Sequence, residues 1–442
     1  MKTVLVLGAG RSSHYLINYL FECSAAHGWQ IIVGDKVKSI AESAVEQFSH
    51  GRAVQFDIHE ESAKEAISSA DVVISLLPPA LHVPVGELCL AAGRHLLTAS
   101  YVSDEMKKLD AEAKAKHLLF LNECGLDPGI DHMSAMKLID EIKSEGGKII
   151  SFESFTGGLI APETDPENPW RYKFTWNPRN VVTAGQSGAE YLKDGKRIHL
   201  SYTELFREIT SVTVPGNGEF EGYANRDSLK YLETYALQSV TTMIRGTLRS
   251  KGFCSAWDVL VQMGCCDDTR VINYDEGMTN AAFMNLFIKS KNQKSIEDKL
   301  MHAFDASPGD IALLRWSGFL DNEPIGLREG TPAQVTEQIL MNKWKLRPAD
   351  KDMIVMWHRF VFEQNGVQNE IQSSLMVKGE DEKRTAMAKT VGLPLGMAAR
   401  LLLEDKISAR GVCIPVYKEF YTPVLNELKG YGIEFREKRL GK

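Results

Sequence analysis

The stretch NECGLDPGIDHM, residues 122–133, gathers Glu123, Cys124, Asp127, Asp131 and His132 into one segment that also carries Gly125, Pro128 and Gly129. Side chains of these types can bind a metal, hold a tight turn or move protons. The Asp-to-His spacing matches no common zinc-ligand pattern, so no metal is expected here. The glycines and the proline suit a sharp turn into a helix beginning near His132, with Asp131 as its N-cap. Asp127 then either caps the turn made by Pro128 and Gly129 or serves as a proton-transfer group.

A second group follows the first apolar run. In GAGRSSHYL, Gly8 and Gly10 fill the first two positions of a dinucleotide fingerprint, and Ser13 replaces the third glycine. Gly8 permits the tight turn, and Gly10 lets pyrophosphate approach a helix N-terminus, whose N–H groups and dipole favour anions. Arg11 and Ser12 complete this turn. Asp35 ends the second run, where a carboxylate accepts from ribose hydroxyls and repels a 2′-phosphate; NAD is therefore the expected cofactor. Lys36 and Lys38 stand close by and leave NADP possible. Asp57 ends the third run, and Leu76 and Leu77 of SLLPP end the fourth, at the edge where an open parallel sheet binds its ligand. TASYVS, residues 98–103, brings Ser100 and Tyr101 to the same edge, either as ligand contacts or as ordinary loop polarity.

These residues depend on the elements that carry them. Six apolar runs, TVLVLG (3–8), QIIVGD (30–35), AVQFD (53–57), DVVISLLP (71–78), HLLTAS (95–100) and HLLFLN (117–122), alternate with helical segments such as SIAESAVEQF and KKLDAEAKAK. Such alternation predicts a Rossmann-type, doubly wound parallel sheet over residues 1–125.

Beyond residue 125 the rhythm changes. GKIISFESFTGGLIAPE reads as a strand followed by a loop at Gly157-Gly158, where backbone approaches something closely. NPWRYKFTWNPRN alternates aromatic and basic residues and predicts a strand with an aromatic and a cationic face. Residues 235–345 read as an all-helical insertion, starting with YALQSVTTMIRGTLR. Arg245 and Arg249, four apart, share a face of that predicted helix, either solvated or as a carboxylate clamp. Asn365-Gly366, flanked by alternating runs, predicts a hairpin. TAMAKTVGLPLGMAARLLLEDKI reads as helical with a break near Pro394. The expected organisation is an α/β dinucleotide-binding domain over 1–125 and a mixed α+β substrate and dimerisation domain over 126–234 and 346–390. The helical insertion interrupts the second of these, and 391–442 closes back on the first two.

Composition narrows the function class. The chain has 442 residues, 44% hydrophobic and 25% charged, with a net charge of −7, so general nucleic-acid binding is not expected. No run approaches the length of a membrane span, and MKTVLVLGAG reaches its first glycine turn too early for a signal sequence, so a cytoplasmic protein is expected. Seven cysteines without a Cys-X-X-Cys spacing predict reduced, mostly buried thiols.

Taken together, GAG, ISLLP, TASYVS, GLDPGIDHM, GGLIAPE with NPWRYKF, GYANRDSLKY, IRGTLRSKGF, KDMIVM and AMAKTVGLPLGMAARLLL resemble the L-glutamate-forming saccharopine dehydrogenases, in the family's order over nearly the whole chain. The resemblance implies a homodimer that reversibly converts saccharopine to L-glutamate and 2-aminoadipate 6-semialdehyde with NAD(P), in lysine metabolism. It implies substrate contacts at Ser100, Tyr101, Arg226, Thr247, Leu248 and Arg249, and a loop of Leu126, Asp127 and Pro128 between cofactor and substrate. The sequence departs from many relatives at Thr156, where a Cys usually precedes the Gly-Gly pair, and at Tyr15, where an early Pro is missing. Thr156 puts a thiol role in proton transfer in doubt. Two other readings stay open: a related reductive condensation such as carboxynorspermidine formation, and a nucleotide-sensing scaffold.

The chemistry sets the demand on these groups. Saccharopine's secondary amine is protonated at neutral pH, and hydride leaves the carbon beside nitrogen only once that proton is gone. Hydrolysis of the resulting imine needs a base for water and an acid for the departing nitrogen. Asp127, with Tyr101 as hydrogen-bond partner, is the candidate catalytic pair, because desolvation beside a nicotinamide ring raises a carboxyl's pKa toward the useful range.

Overall fold

The computed structural model describes residues 1–288 and 294–441; residues 289–293, inside the predicted helical block, and Lys442 lie outside the described residues. The chain divides into two compact units, Met1–Gly146 with Gly379–Phe435, and Gly147–Lys378 with the segment from Arg436 onward.

In the first unit all six predicted runs form strands: β1 (Thr3–Leu7), β2 (Gln30–Asp35), β3 (Arg52–Gln55), β4 (Val72–Ser75), β5 (His95–Thr98) and β6 (Leu119–Leu121). Every pairing is parallel, and the order runs β6-β5-β4-β1-β2-β3, with a further strand, Gly411–Cys413, outside β6. Helices on both faces bury these strands, which is why they read as continuous apolar runs rather than alternating ones. Val4 through Leu7 and Val72 through Ile74 are wholly buried. Strand order reverses between β1 and β4, and the ligand crevice of such a sheet lies outside the carboxyl ends there.

Residues 386–403 form one helix that passes through Pro394 without a break. The missing hydrogen bond is offset by packing against the first helix, His14–His27, at two glycines. A β-carbon at Gly392 would lie 2.8 Å from Leu16 N, and one at Gly396 would lie 2.6 Å from Tyr19 Cδ1. By length and hydropathy this helix could cross a membrane, but 78% of it is buried inside the protein.

The second unit is built on a mixed sheet that has ten strands among the described residues. At its centre β7 (Lys148–Ile160) pairs parallel with Thr242–Arg249 and antiparallel with Asp352–Gln364. The predicted hairpin is present: Asp352–Gln364 and Val367–Lys378 join through Asn365 and Gly366, both with positive φ (53° and 76°), as a two-residue turn demands.

Three expectations for this unit are corrected. First, β7 does not end at Gly157-Gly158 but runs on to Ile160, and the close approach occurs inside the sheet. A β-carbon at Gly157 would stand 2.7 Å from Leu248 O. Second, residues 242–249 are a strand rather than a helix. Thr242, Ile244 and Thr247 are β-branched, and β7 and Gly218–Ala224 supply ladder partners on both sides. Arg245 and Arg249 still share a face, because a four-residue step preserves the side in a period-two strand. Third, residues 168–176 form no strand and make only the isolated bridge Phe174–Lys345. Arg171 adopts φ 50° and interrupts the extended run. The aromatic face is real: Trp170, Tyr172 and Phe174 are buried and pack against Trp344. Lys173, expected on a cationic face, is instead wholly buried, with Nζ 2.7 Å from Asp350 Oδ2 and 2.8 Å from Asp165 Oδ2. Helices Phe253–Met263, Asn280–Leu286, Ile296–Phe304, Pro308–Trp316 and Pro332–Trp344 lie in the predicted helical block, but it is not all-helical: besides Thr242–Arg249, the short strands Ile272–Asn273 and Glu329–Gly330 pair antiparallel within it.

Candidate active site

At the carboxyl end of β1 the chain turns sharply. Gly8 has φ 96°, and a β-carbon there would stand 3.2 Å from the Leu76 backbone, so the turn requires glycine. Around Gly10 nothing lies within 4 Å of such an atom. Ser13 precedes the helix His14–His27, yet its hydroxyl donates to Gly10 O at 2.8 Å instead of capping the helix. The first-turn N–H groups are thus left to an anion. Arg11 is exposed and Ser12 half-buried on this turn. Asp35 accepts from Ala9 N through Oδ2 (2.9 Å) and from Val37 N through Oδ1 (3.0 Å), which fixes its carboxylate beside the turn. These features fit a dinucleotide. Asp57 is held by His59 N, and by Lys36 Nζ at 3.2 Å; both lower its pKa. Leu76 and Leu77 are half-buried after β4.

The loops after β5 and β6 are tied together. Glu123, buried and with φ 55°, accepts from Val102 N at 3.0 Å and lies 2.8 Å from His132 Nε2, while its own N–H donates to Ser100 O. Asp127 and Pro128 join through a cis peptide bond. Leu126 is buried and Asp127 half-buried, with Asp127 Oδ1 3.5 Å from the Tyr101 hydroxyl, at the outer limit of a hydrogen bond. The helix after this loop starts at Ile130, two residues earlier than expected, with Gly129 at its N-cap. Asp131 therefore lies within the first turn rather than before it, and secures the loop by accepting from Gly129 N at 2.6 Å. Among the described residues no group of three or more His, Cys, Asp or Glu is disposed to hold a metal. The seven cysteines are free thiols, six of them buried.

Sequence reasoning missed His82, which opens the helix His82–Ala92 and is 5% exposed. Its Nδ1 lies 3.0 Å from Ser75 Oγ at the end of β4. Its Nε2 lies 2.7 Å from Ser100 Oγ and 3.3 Å from Thr98 Oγ1. Burial pushes its pKa down to about 4. The signal was present as hydroxyls ending two adjacent parallel strands, with a histidine seven residues after the first. The Glu123–His132 contact lies within the segment NECGLDPGIDHM, where the nine-residue spacing gives no local signal that the two side chains meet.

In the second unit Thr247 is half-buried, Leu248 and Arg249 are buried, and Arg226 is exposed with φ 54°. The Arg249 guanidinium lies over the rings of Tyr172 (5.1 Å), Phe253 (5.2 Å) and Tyr223 (5.8 Å). Its Nη1 donates to Leu248 O, its Nε has no partner, and no carboxylate pairs with it among the described residues. Arg245, also buried, lies over Tyr231 at 4.3 Å. The guanidinium groups of Arg245 and Arg249 lie over different aromatic rings. Thr156 is buried, and its hydroxyl has no partner among the described residues.

Residues 4–121 match the family model described as Saccharopine dehydrogenase NADP binding domain, and residues 125–433 the one described as Saccharopine dehydrogenase C-terminal domain. The chain is 32% identical to the mitochondrial alpha-aminoadipic semialdehyde synthase of Bos taurus over 98% of this chain and 47% of that protein, so it spans about half the length of that relative. It is 32% identical to the Saccharomyces cerevisiae protein named saccharopine dehydrogenase [NADP(+), L-glutamate-forming], over 99% of each. The apo structure of the L-Glu-forming saccharopine dehydrogenase from Saccharomyces cerevisiae matches with a TM-score of 0.88 at 30% identity, covering 100% of both chains.

Proposed function

Because the chain belongs to the saccharopine dehydrogenase family, we propose that it catalyses the reversible, nicotinamide-dependent cleavage of L-saccharopine to L-glutamate and 2-aminoadipate 6-semialdehyde. The observation that carries this reading to the chain's own residues is Arg249. A guanidinium buried among three aromatic rings, with one hydrogen bond and no carboxylate among the described residues, is costly to a protein unless a ligand supplies the anion. Saccharopine carries three carboxylates, and a planar guanidinium binds a carboxylate in bidentate fashion.

The products dictate where the chemistry falls. The carbon that ends as an aldehyde is the one oxidised, so hydride leaves the six-carbon arm beside the nitrogen; loss from the glutamyl α-carbon would give a 2-oxo acid instead. When bound, the dinucleotide supplies the hydride acceptor. Asp127 takes the ammonium proton, which frees the nitrogen lone pair, and Tyr101 orients the carboxylate. After oxidation a base takes a proton from the water that attacks the imine carbon. Asp127, still holding the proton it took from the ammonium, then donates it to nitrogen, and the C–N bond breaks as the carbinol hydroxyl gives up its proton to leave the aldehyde. Ser100, Arg226, Thr247 and Leu248 complete the substrate contacts in this reading.

We assign dinucleotide binding to Gly8, Gly10, Arg11, Ser12, Ser13, Asp35, Asp57, Leu76, Leu77 and the Leu126–Pro128 loop. For the choice of dinucleotide, Asp35 supports NAD, since its fixed carboxylate would face a 2′-phosphate. The relatives' names support NADP, as does the cationic Lys36 beside Asp57. NAD is our reading of this chain, and initial rates with the two dinucleotides side by side test it. A cytoplasmic homodimer in lysine metabolism completes the proposal, and sedimentation at twice the chain mass tests its oligomeric part.

The decisive assay mixes protein, saccharopine and either dinucleotide and follows absorbance at 340 nm together with glutamate release. Asp127→Ala is expected to lower turnover about a hundredfold or more with dinucleotide binding kept. No turnover of saccharopine by the wild-type protein would refute the activity. Wild-type turnover with an unimpaired Asp127→Ala would refute only the assignment of the base.

A further inference from the structure

Resting on the reading of Ser100 as a substrate contact, we propose that His82 is a positioning residue that holds the Ser100 hydroxyl as a hydrogen-bond donor toward a substrate carboxylate. A neutral imidazole has one N–H and one lone pair, and the three hydroxyls around His82 decide which nitrogen carries which. Burial keeps the ring neutral at physiological pH. Nε2 faces two oxygens, Ser100 Oγ at 2.7 Å and Thr98 Oγ1 at 3.3 Å, whereas Nδ1 faces only Ser75 Oγ at 3.0 Å.

One N–H can be shared by two acceptors, but one lone pair serves two hydroxyl donors poorly. Thr98 Oγ1 already acts as an acceptor, receiving the Ser100 backbone N–H at 3.2 Å. The assignment that satisfies most groups has Ser75 donating to Nδ1 and Nε2–H donating to Ser100 Oγ, with Thr98 Oγ1 as the longer, second acceptor. The opposite tautomer would load two O–H groups onto one lone pair and leave the wholly buried Ser75 hydroxyl without an acceptor. In the favoured assignment Ser100 Oγ accepts from below, and its own hydrogen is turned outward from a half-buried position.

The serine is fixed on three sides: by His82, by its own N–H to Thr98, and by its carbonyl, which accepts from Glu123 N at 3.0 Å. A hydroxyl held as donor matches a carboxylate, which only accepts; an ammonium group would need the reverse. The chain Ser75, His82, Ser100 is thus a directional relay of hydrogen bonds that selects an anionic group at the carboxyl edge of β5.

The first test needs no substrate. Nitrogen-15 spectra of protein labelled in the histidine ring, assigned with His82→Asn, should show His82 neutral and protonated at Nε2 at pH 7; protonation at Nδ1 overturns the proposal. The second test is kinetic. His82→Asn keeps a group near Ser75 but loses Nε2, so the saccharopine KM should rise about tenfold, with kcat within about twofold, the effect of losing one aligned hydrogen bond to a charged group. His82→Gln is long enough to present an amide N–H where Nε2 stood, and should return KM to within about threefold of wild type. In a Ser100→Ala background His82→Asn should change nothing further, and an equal tenfold loss there overturns the proposal. If the wild-type protein does not turn over saccharopine, the functional reading fails, while the tautomer spectrum still decides whether the relay is built as described.

Discussion

Lys173 offers the sharpest stability test. Its side chain has no exposure, and its two partners, Asp165 and Asp350, are 11% and 10% exposed. At an effective dielectric of about 20, each contact at 2.7–2.8 Å is worth roughly 6 kcal/mol before desolvation, which removes several kcal/mol per ion. Lys173→Met leaves two carboxylates facing each other, nine-tenths buried, with no cation between them. Breaking a buried pair from one side costs about 3–5 kcal/mol. For a unit of this size that corresponds to a fall in Tm of roughly 6–20 °C. The assay is thermal and urea unfolding of the full chain near neutral pH. Lys173→Met combined with Asp165→Asn and Asp350→Asn should recover most of the loss, because an uncharged cluster no longer requires the cation. Tyr172 adjoins Lys173 and stacks on Arg249, so the single variant should also bind saccharopine more weakly where it remains folded. A loss below about 1 kcal/mol, within the range of an ordinary surface substitution, would refute the reasoning.

Other outcomes follow from particular residues. Arg249→Met should raise the saccharopine KM about tenfold or more with kcat little changed, and Arg249→Lys should rescue little, since an ammonium lacks the planar fork; loss of folding in both would make the arginine structural. Gly129 has φ 148°, and a β-carbon there would overlap the Gly125 backbone. Gly129→Ala should therefore destabilise by about 2–4 kcal/mol, read as a lower urea midpoint; an unchanged midpoint would contradict this account of the turn. His82 and His95 have pKa values pushed down from 6.5 to about 4 by burial. The unfolded chain then binds protons that the folded one does not, so this contribution is full above pH 6.5 and is lost as pH falls from 6.5 toward 4, by up to about 1.4 kcal/mol per unit per histidine. Denaturant titrations over that range should show the loss, reduced in His82→Gln; a flat profile would exclude it.

How much of this was legible in the sequence depended on the distance over which each feature is determined. Strands buried on both faces, such as Val72–Ser75, declare themselves as short apolar runs, and a two-residue turn such as Asn365-Gly366 is set by local backbone chemistry. TMIRGTLR misled because a short apolar stretch fits either period, and only its partners, β7 and Gly218–Ala224, decide. The alternation in NPWRYKFTW reported a buried face correctly but not the backbone beneath it, since Trp170, Tyr172 and Phe174 enter the core from an irregular segment. Pro394 sits in an unbroken helix because glycines fit that helix against another nearly 400 residues away in sequence. Single site residues such as Asp35 and Asp127 could be named from their positions at strand ends. The network of His82 and the cage of Arg249 could not, because Ser75, His82 and Ser100, or Tyr172, Tyr223, Phe253 and Arg249, meet only after folding.

The strand Gly411–Cys413 pairs with β6 although some 290 residues separate them in sequence. An expression fragment cut after residue 146 would therefore carry every residue of the dinucleotide turn and yet expose the backbone edge of Leu119–Leu121. It would also lack the helix Ala386–Leu403 that packs against the first helix. Such an uncapped edge is a template for pairing between copies, so the fragment should aggregate where the intact chain does not. A soluble dinucleotide-binding module would instead join residue 146 to residue 379 by a short linker and keep the segment through Phe435, which makes the strand at Gly411–Cys413 the guide to where this gene can be cut.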